Sequence, residues 1–321
     1  MRVAVLALAA WIPAAALPAF AGPGQDPVAW LQRAVEAART GTYAGIVVHA
    51  TGERSSVTRI AHFFANGTEV ERIEALDGPR QEIVRRGDEL QCYYPDAKTV
   101  RLDRRVTARF FPTLIFGPPE ALAEHYDVKL GSVERLLDYE CQWIHLDPKD
   151  TLRYAQRLCA EVTTGLLVRA RTLGQQKRVL EQFGFSELRL GSAVPRSELK
   201  SPFRSLSKDW VKDTRPLEES RQVDTGWLVA APAGFRKVTE MARTVPGRDR
   251  PVSQLVYTDG IASFSVFIEP LATGVRVSES ASAEGDLSIS VRPLSEYVVT
   301  VLGEVPPAAV QQVARGVTRR P

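Results

Sequence analysis

The chain has 321 residues, 44% apolar, 8% aromatic and 25% charged, which excludes collagen, coiled coil and wholesale disorder. That length favours two domains, each large enough to bury a core without help from a metal. Forty-one Lys and Arg against 38 Asp and Glu leave a net charge of +3, too small and too mixed a balance to make nucleic acid the main partner.

Arg2 precedes an almost uninterrupted apolar run from Val3 to Leu17, and Ala19-Phe20-Ala21 supplies a small-x-small cleavage pattern. These features predict a signal peptide over 1–21, cut after Ala21, and a mature protein in the periplasm. Pro13 and Pro18, inside a run short of a full span, argue against a retained membrane helix. No later window is apolar enough to cross a bilayer, so the protein is not expected to span a membrane.

Asp26-Pro27 is a helix start, with a capping oxygen before proline at the first helical position, and Val28, Leu31, Val35 and Ala38 follow at helical spacing up to Gly41. From Tyr43 the pattern changes to short Val-, Ile-, Phe- and Tyr-rich segments broken at Gly52, Asn66-Gly67, Asp77-Gly78-Pro79, Gly87-Asp88 and Pro95-Asp96. This spacing predicts an antiparallel meander over 43–51, 57–65, 69–76, 81–86, 90–94 and 99–102. A helix is expected over 120–126, then a second meander over 137–146, 152–161, 165–173 and 179–190. Pro195, Pro202 and Pro216 punctuate a charged segment read as a linker over 191–225, with local helix near 205–212. A smaller unit over 226–321 follows, with strands at 227–230, 253–258, 262–270, 287–291 and 296–302 and a closing helix near 307–317. The Ser- and Ala-rich stretch from Gly274 to Gly285 reads as a mobile hairpin tip. No strand alternates regularly with a long helix, so the expected fold class is α+β to mainly β and the pattern argues against a doubly wound parallel sheet.

Export makes Cys92, Cys141 and Cys159 candidates for one disulfide. Cys141 and Cys159 flank the turn Asp147-Pro148-Lys149-Asp150 almost symmetrically, which suits a cross-strand bridge, while a long-range bridge from Cys92 to Cys141 and three buried thiols stay equally open. His49, His62, His125 and His145 stand alone at no metal-ligand spacing. There is no Gly-x-Ser-x-Gly elbow, no glycine-rich phosphate loop and no Cys-x-x-Cys pair. No catalytic residue, cofactor or metal is therefore expected, and binding is favoured over catalysis.

Two features invite a functional reading. Between Arg80 and Arg109 eight basic and five acidic residues interleave with Tyr93 and Tyr94, as on a surface for an anionic head group, although a strand pair with Arg on its wet face would look the same. The uncharged run Phe110, Phe111, Pro112, Thr113, Leu114, Ile115 and Phe116 is either a plug of the core or the mouth of a lipid pocket.

Read together, several segments resemble the MucB/RseB family of sigma-E factor regulatory proteins over nearly all of the mature chain. In the first domain these are 43–48 (YAGIVV), 74–86 (EALDGPRQEIVRR), 92–96 (CYYPD) and 150–154 (DTLRY). In the second they are 257–269 (YTDGIASFSVFIE) and 299–306 (VTVLGEVP), the most specific of the set. The resemblance implies a two-domain periplasmic protein. Its first domain, 22–190, would be a curved antiparallel half-barrel over helices, like the lipoprotein carriers. The smaller domain would be an antiparallel sheet with one helix. It implies binding to the periplasmic domain of a single-pass anti-sigma factor, protection of that factor from regulated proteolysis, and release on sensing lipid or lipopolysaccharide. It also tilts the disulfide toward Cys92 with Cys141, leaving Cys159 as a buried thiol. The partner surface is expected on the second domain, with Thr258, Asp259 and Gly260 at a turn and Phe264 and Phe267 on the next strand. Asp-Gly is an ordinary hairpin turn, and only Phe267, on an otherwise polar strand face, resists a purely structural reading. The alternative is a periplasmic lipid or lipoprotein carrier with no transcriptional role. The oligomeric state, a homo-oligomer included, is left open.

Overall fold

The computed structural model describes residues 26–87, 89–103, 111–213, 221–243, 250–272 and 274–320. The expected signal peptide and Phe110 lie outside them. Helix α1 (Pro27–Thr40) begins as its sequence requires, with Asp26 accepting from the Val28 N–H at 2.9 Å, and buries Trp30, Leu31, Ala34, Ala37 and Ala38.

A meander of β1 (Tyr43–Thr51), β2 (Arg54–Ala65), β3 (Thr68–Ala75), β4 (Glu82–Arg86), β5 (Glu89–Tyr94) and β6 (Thr99–Asp103) follows. After the apolar loop, α2 (Leu122–His125) leads into β7 (Tyr126–Leu136), β8 (Tyr139–Pro148), β9 (Ala155–Glu161), β10 (Leu167–Leu173) and β11 (Val179–Leu190). Pairing of β1 with β11 fuses the two meanders into one 12-stranded sheet, closed at one edge by β12 (Val211–Asp213), which runs parallel to β6. Tyr43, Val47, Ile60, Ile73, Ile144, Leu158 and Leu167 face α1 and form the core of the sheet's inner side. Helix was expected over 120–126, yet the chain is already extended from Tyr126, so the helix is shorter and β7 is a strand the sequence did not announce.

The expected linker is packed over its first half. Residues 191–213, which include α3 (Phe203–Leu206), cross the sheet's outer face. Val194 and Leu199 cover Ala44, Ala61 and Phe63, while Phe203 and Trp210 cover Val84, Tyr93 and Val100. Burial of these side chains holds the segment in place, so any freedom between domains excludes it.

The second sheet has the order β13 (Arg221–Gln222), β15 (Arg236–Arg243), β16 (Val252–Thr258), β17 (Ser263–Pro270), β20 (Tyr297–Gly303), β19 (Leu287–Leu294) and β18 (Ser280–Glu284). Helix α4 (Pro307–Arg315) seals one face of it, with Ala309, Val310 and Val313 fully buried against Val299, Val301, Phe264 and Val266. β14 (Trp227–Val229) and β21 (Val317–Arg319) form a separate ribbon. The stretch read as a hairpin tip contains β18, an exposed strand hydrogen-bonded along β19.

The disulfide joins Cys141 to Cys159, which corrects the expectation of Cys92 with Cys141. Those two residues lie on neighbouring strands β8 and β9 with Cα atoms 5.4 Å apart, whereas Cys92 is buried on β5, separated from β9 by six strands.

Candidate functional site

The two domains meet through a buried ion pair. Arg153, in the loop after β8, and Asp259, in the β16–β17 turn, both have fully enclosed side chains, and the Arg153 Nε donates to Asp259 Oδ2 at 2.8 Å. Tyr126 donates its hydroxyl to the same oxygen at 3.0 Å, while Oδ1 accepts the backbone N–H groups of Ile261 and Ala262 at 3.0 and 2.8 Å. Every lone-pair direction of the carboxylate is thereby used, as a charge removed from water requires. Arg153 also donates to Asp150 and to the carbonyl of Ala233, and lies 4.7 Å above the Phe235 ring. Burial first, then the Asp259 charge, hold the Tyr126 phenol well above its ordinary range, so it remains a donor.

Beside this pair the apolar loop and the turn are joined directly. The Phe116 N–H donates to the Gly260 carbonyl at 2.7 Å, and Ile261 inserts into the core of the first domain. Gly260 has φ +112°, and a Cβ there would stand 3.0 Å from the Phe116 carbonyl oxygen, so both conformation and approach call for glycine.

The expected partner residues therefore separate. Thr258, Asp259 and Gly260 are buried where the domains join, because they satisfy Arg153, Tyr126 and the loop, and Phe264 is core beneath α4. A surface role for these four is corrected on that ground. Phe267 alone stays half-buried on the face of the second sheet opposite α4, and the β16–β17 and β17–β20 registers place Gln254 and Thr300 beside it. Half-buried Met241, Val256, Leu302, Ile289 and Val291 share that face, forming an apolar stripe across five strands. The signal available in the sequence was one aromatic residue out of phase with its strand; the rest of the stripe needed the register.

Of the expected lipid-pocket residues, Phe111 and Ile115 are buried in the core and Leu114 and Phe116 are half-buried. Phe111 stacks on Phe183 at 5.8 Å and tilts against Phe185 at 5.3 Å. The space left between α1 and residues 112–115 is about 20 Å³. The loop is a plug. The described residues hold no group of three His, Cys, Asp or Glu able to bind a metal.

Arg153 lies within the DTLRY segment and Asp259 within the YTDGIASFSVFIE segment, so two of the runs that carry the resemblance meet in one ion pair. Residues 26–203 match the MucB/RseB N-terminal domain and residues 221–318 the MucB/RseB C-terminal domain. The chain belongs to the MucB/RseB family. It is 30% identical over 295 residues to the sigma factor AlgU regulatory protein MucB of Pseudomonas aeruginosa, covering 90% of each chain. The complex structure of Pseudomonas aeruginosa MucA/MucB is similar with a TM-score of 0.75 and 29% identity, over 92% of this chain and 99% of that one. A crystal structure of MucB in complex with MucA(peri) gives 0.74 and 28%, over 92% of this chain and all of that one.

Proposed function

We propose that this protein is a periplasmic negative regulator of an extracytoplasmic stress response, which binds the periplasmic domain of a membrane anti-sigma factor and shields it from regulated proteolysis. The observation that carries this reading is the likeness, across both domains and at a TM-score of 0.75, to a MucB that is held in complex with MucA. The protein acts by covering a surface, without chemistry of its own. Export through the signal peptide over 1–21 puts it on the same side of the membrane as its partner.

The apolar stripe around Phe267 is the surface we assign to the partner. Its side chains are half-buried on the face of the sheet opposite α4, and a continuous apolar stripe of this kind is where association gains most from further burial. Lipid entering between α1 and residues 112–115 would require the plug to move, because the space of about 20 Å³ there holds about one water and no acyl chain, whereas a cleft of about 280 Å³ opens at the end of α1 beside Thr40, Tyr43 and Leu190. The same filling of the inner face by α1, Phe111, Ile115 and Ile261 favours regulation over a carrier role.

The test is Phe267→Ser. Partner binding, measured with the purified periplasmic fragment of the anti-sigma factor, should weaken at least about tenfold, while the melting temperature stays within about 2 °C of the parent. A loss of stability in step with binding would place Phe267 in the core and remove it from the interface.

A further inference from the structure

Besides the Arg153–Asp259 pair, the domains touch at a second place of different chemistry. The tip of the β18–β19 hairpin rests on the tip of the β1–β2 hairpin and on β11. Asp286, 5% exposed, accepts from the Thr51 hydroxyl at 3.1 Å, and Glu181, directly across from Thr51 in the β1–β11 register, brings a second carboxyl group to the same contact. Gly285 makes the approach possible: with φ +62°, a Cβ there would stand 2.5 Å from the Thr51 hydroxyl oxygen. A cavity of about 710 Å³, lined by Arg153, Tyr154 and Arg178 on one side and Gly285 and Pro306 on the other, separates this contact from the first. The domain boundary thus has a fixed end, where an arginine neutralises a carboxylate, and an end where two carboxyl groups face each other.

Two neighbouring carboxylates repel, and of the two it is Asp286, almost wholly buried, that gains most from holding a proton. We infer that Asp286 and Glu181 form a proton-operated clasp between the domains, closed when they share a proton in mild acid and loosened when both are ionised.

The groups around the pair support this assignment. From β1, His49 Nε2 lies 2.8 Å from Glu181, an ion pair whenever the imidazole carries a proton, and stacks on Phe183, so the charge of Glu181 has a partner that Asp286 lacks. From β10, the single Thr172 hydroxyl proton is shared between Gln156 Oε1 on β9 at 3.2 Å and Glu181 Oε2 at 3.3 Å, and Thr172 brings no charge of its own. Tyr154 feels the Asp286 charge through its phenol, and the Arg54–Glu284 pair at 2.9 Å is exposed at the rim. No arginine or lysine in a described contact neutralises Asp286 itself. Burial, then the Glu181 charge, raises its carboxyl from the usual value to about 6.

The sign follows from which state holds the proton. When the clasp is open, Asp286 has its ordinary proton affinity; when it is closed, the affinity is higher, so closing takes up a proton between about pH 4 and pH 6. Closure is fully favoured below that window and declines as pH rises through it. From pH 5 to pH 7 the closing constant should fall about tenfold. This clasp belongs to the protein alone and stands whether or not the partner reading does.

The test is amide hydrogen exchange of the full chain at pH 5 and pH 7, corrected for the intrinsic rate, over the segments 51–55 and 280–291. Protection should drop about tenfold at pH 7 in the parent protein. In Asp286→Asn, which mimics the protonated carboxyl, protection should be high and equal at both pH values. Glu181→Gln should reduce the difference without abolishing it, since burial of Asp286 remains, and carries the test if the first variant fails to fold. Equal protection in the parent at both values, or a full tenfold drop retained in Asp286→Asn or Glu181→Gln, would overturn the clasp.

Discussion

Replacing Asp259 with Ala removes the acceptor of four hydrogen bonds at once: those from Arg153, Tyr126 and the N–H groups of Ile261 and Ala262. The Arg153 guanidinium would keep Asp150 and the Ala233 carbonyl but lose its fully buried counter-charge. Breaking a buried ion pair from one side costs about 3–5 kcal/mol, because the remaining charge stays out of water. Two orphaned backbone donors add about 1–3 kcal/mol each if no water reaches them. We expect a loss near the middle of the first range, about 4 kcal/mol, since the turn can open toward solvent and recover part of the second. Urea denaturation followed by hydrogen exchange of residues 116–126 and 258–262 reads this, because those segments meet only when the domains are joined. The double variant Arg153→Met with Asp259→Leu should be less destabilised than Asp259→Ala alone, as expected when both charges leave together. A loss below about 1 kcal/mol for Asp259→Ala would mean that the pair is not buried and that the domains are held elsewhere.

Peptide mapping under non-reducing conditions should recover Cys141 linked to Cys159, with Cys92 as a thiol; replacing both bridged residues with Ala should lower stability by about 3 kcal/mol for a loop of this length. Phe111→Ala should cost about 3–5 kcal/mol by calorimetry, as a fully packed aromatic does, and a cost under about 1 kcal/mol would show the plug to be loose.

Much of the architecture is readable from the chain because it is locally encoded. Asp26-Pro27 starts α1, and Asn66-Gly67 turns β2 into β3. The elements that escape are those whose environment is not local. β7 is an edge strand carrying Lys129, Glu134 and Arg135, so it lacks the apolar alternation that marks a half-buried strand. β18 is exposed along its whole length, and its Ser-Ala-Ser-Ala-Glu run resembles a loop because one neighbour, β19, is all that pairs with it. The disulfide depends on which strands lie side by side, and the β8–β9 hairpin decides that without any mark on Cys92. Asp259 looked like an ordinary turn residue since its partner Arg153 is 106 positions away. A turn motif reports the backbone; it does not report what the carboxylate is aimed at. Phe267 was different, as its misfit with the strand period was visible locally.

Recognition of another protein is tested most directly by calorimetric titration of the intact mature chain with the periplasmic fragment of a single-pass anti-sigma factor from the same cell. Saturable one-to-one binding with a Kd of about 1 µM or tighter is the predicted result. An absence of heat and of complex at about 100 µM of each component would contradict it.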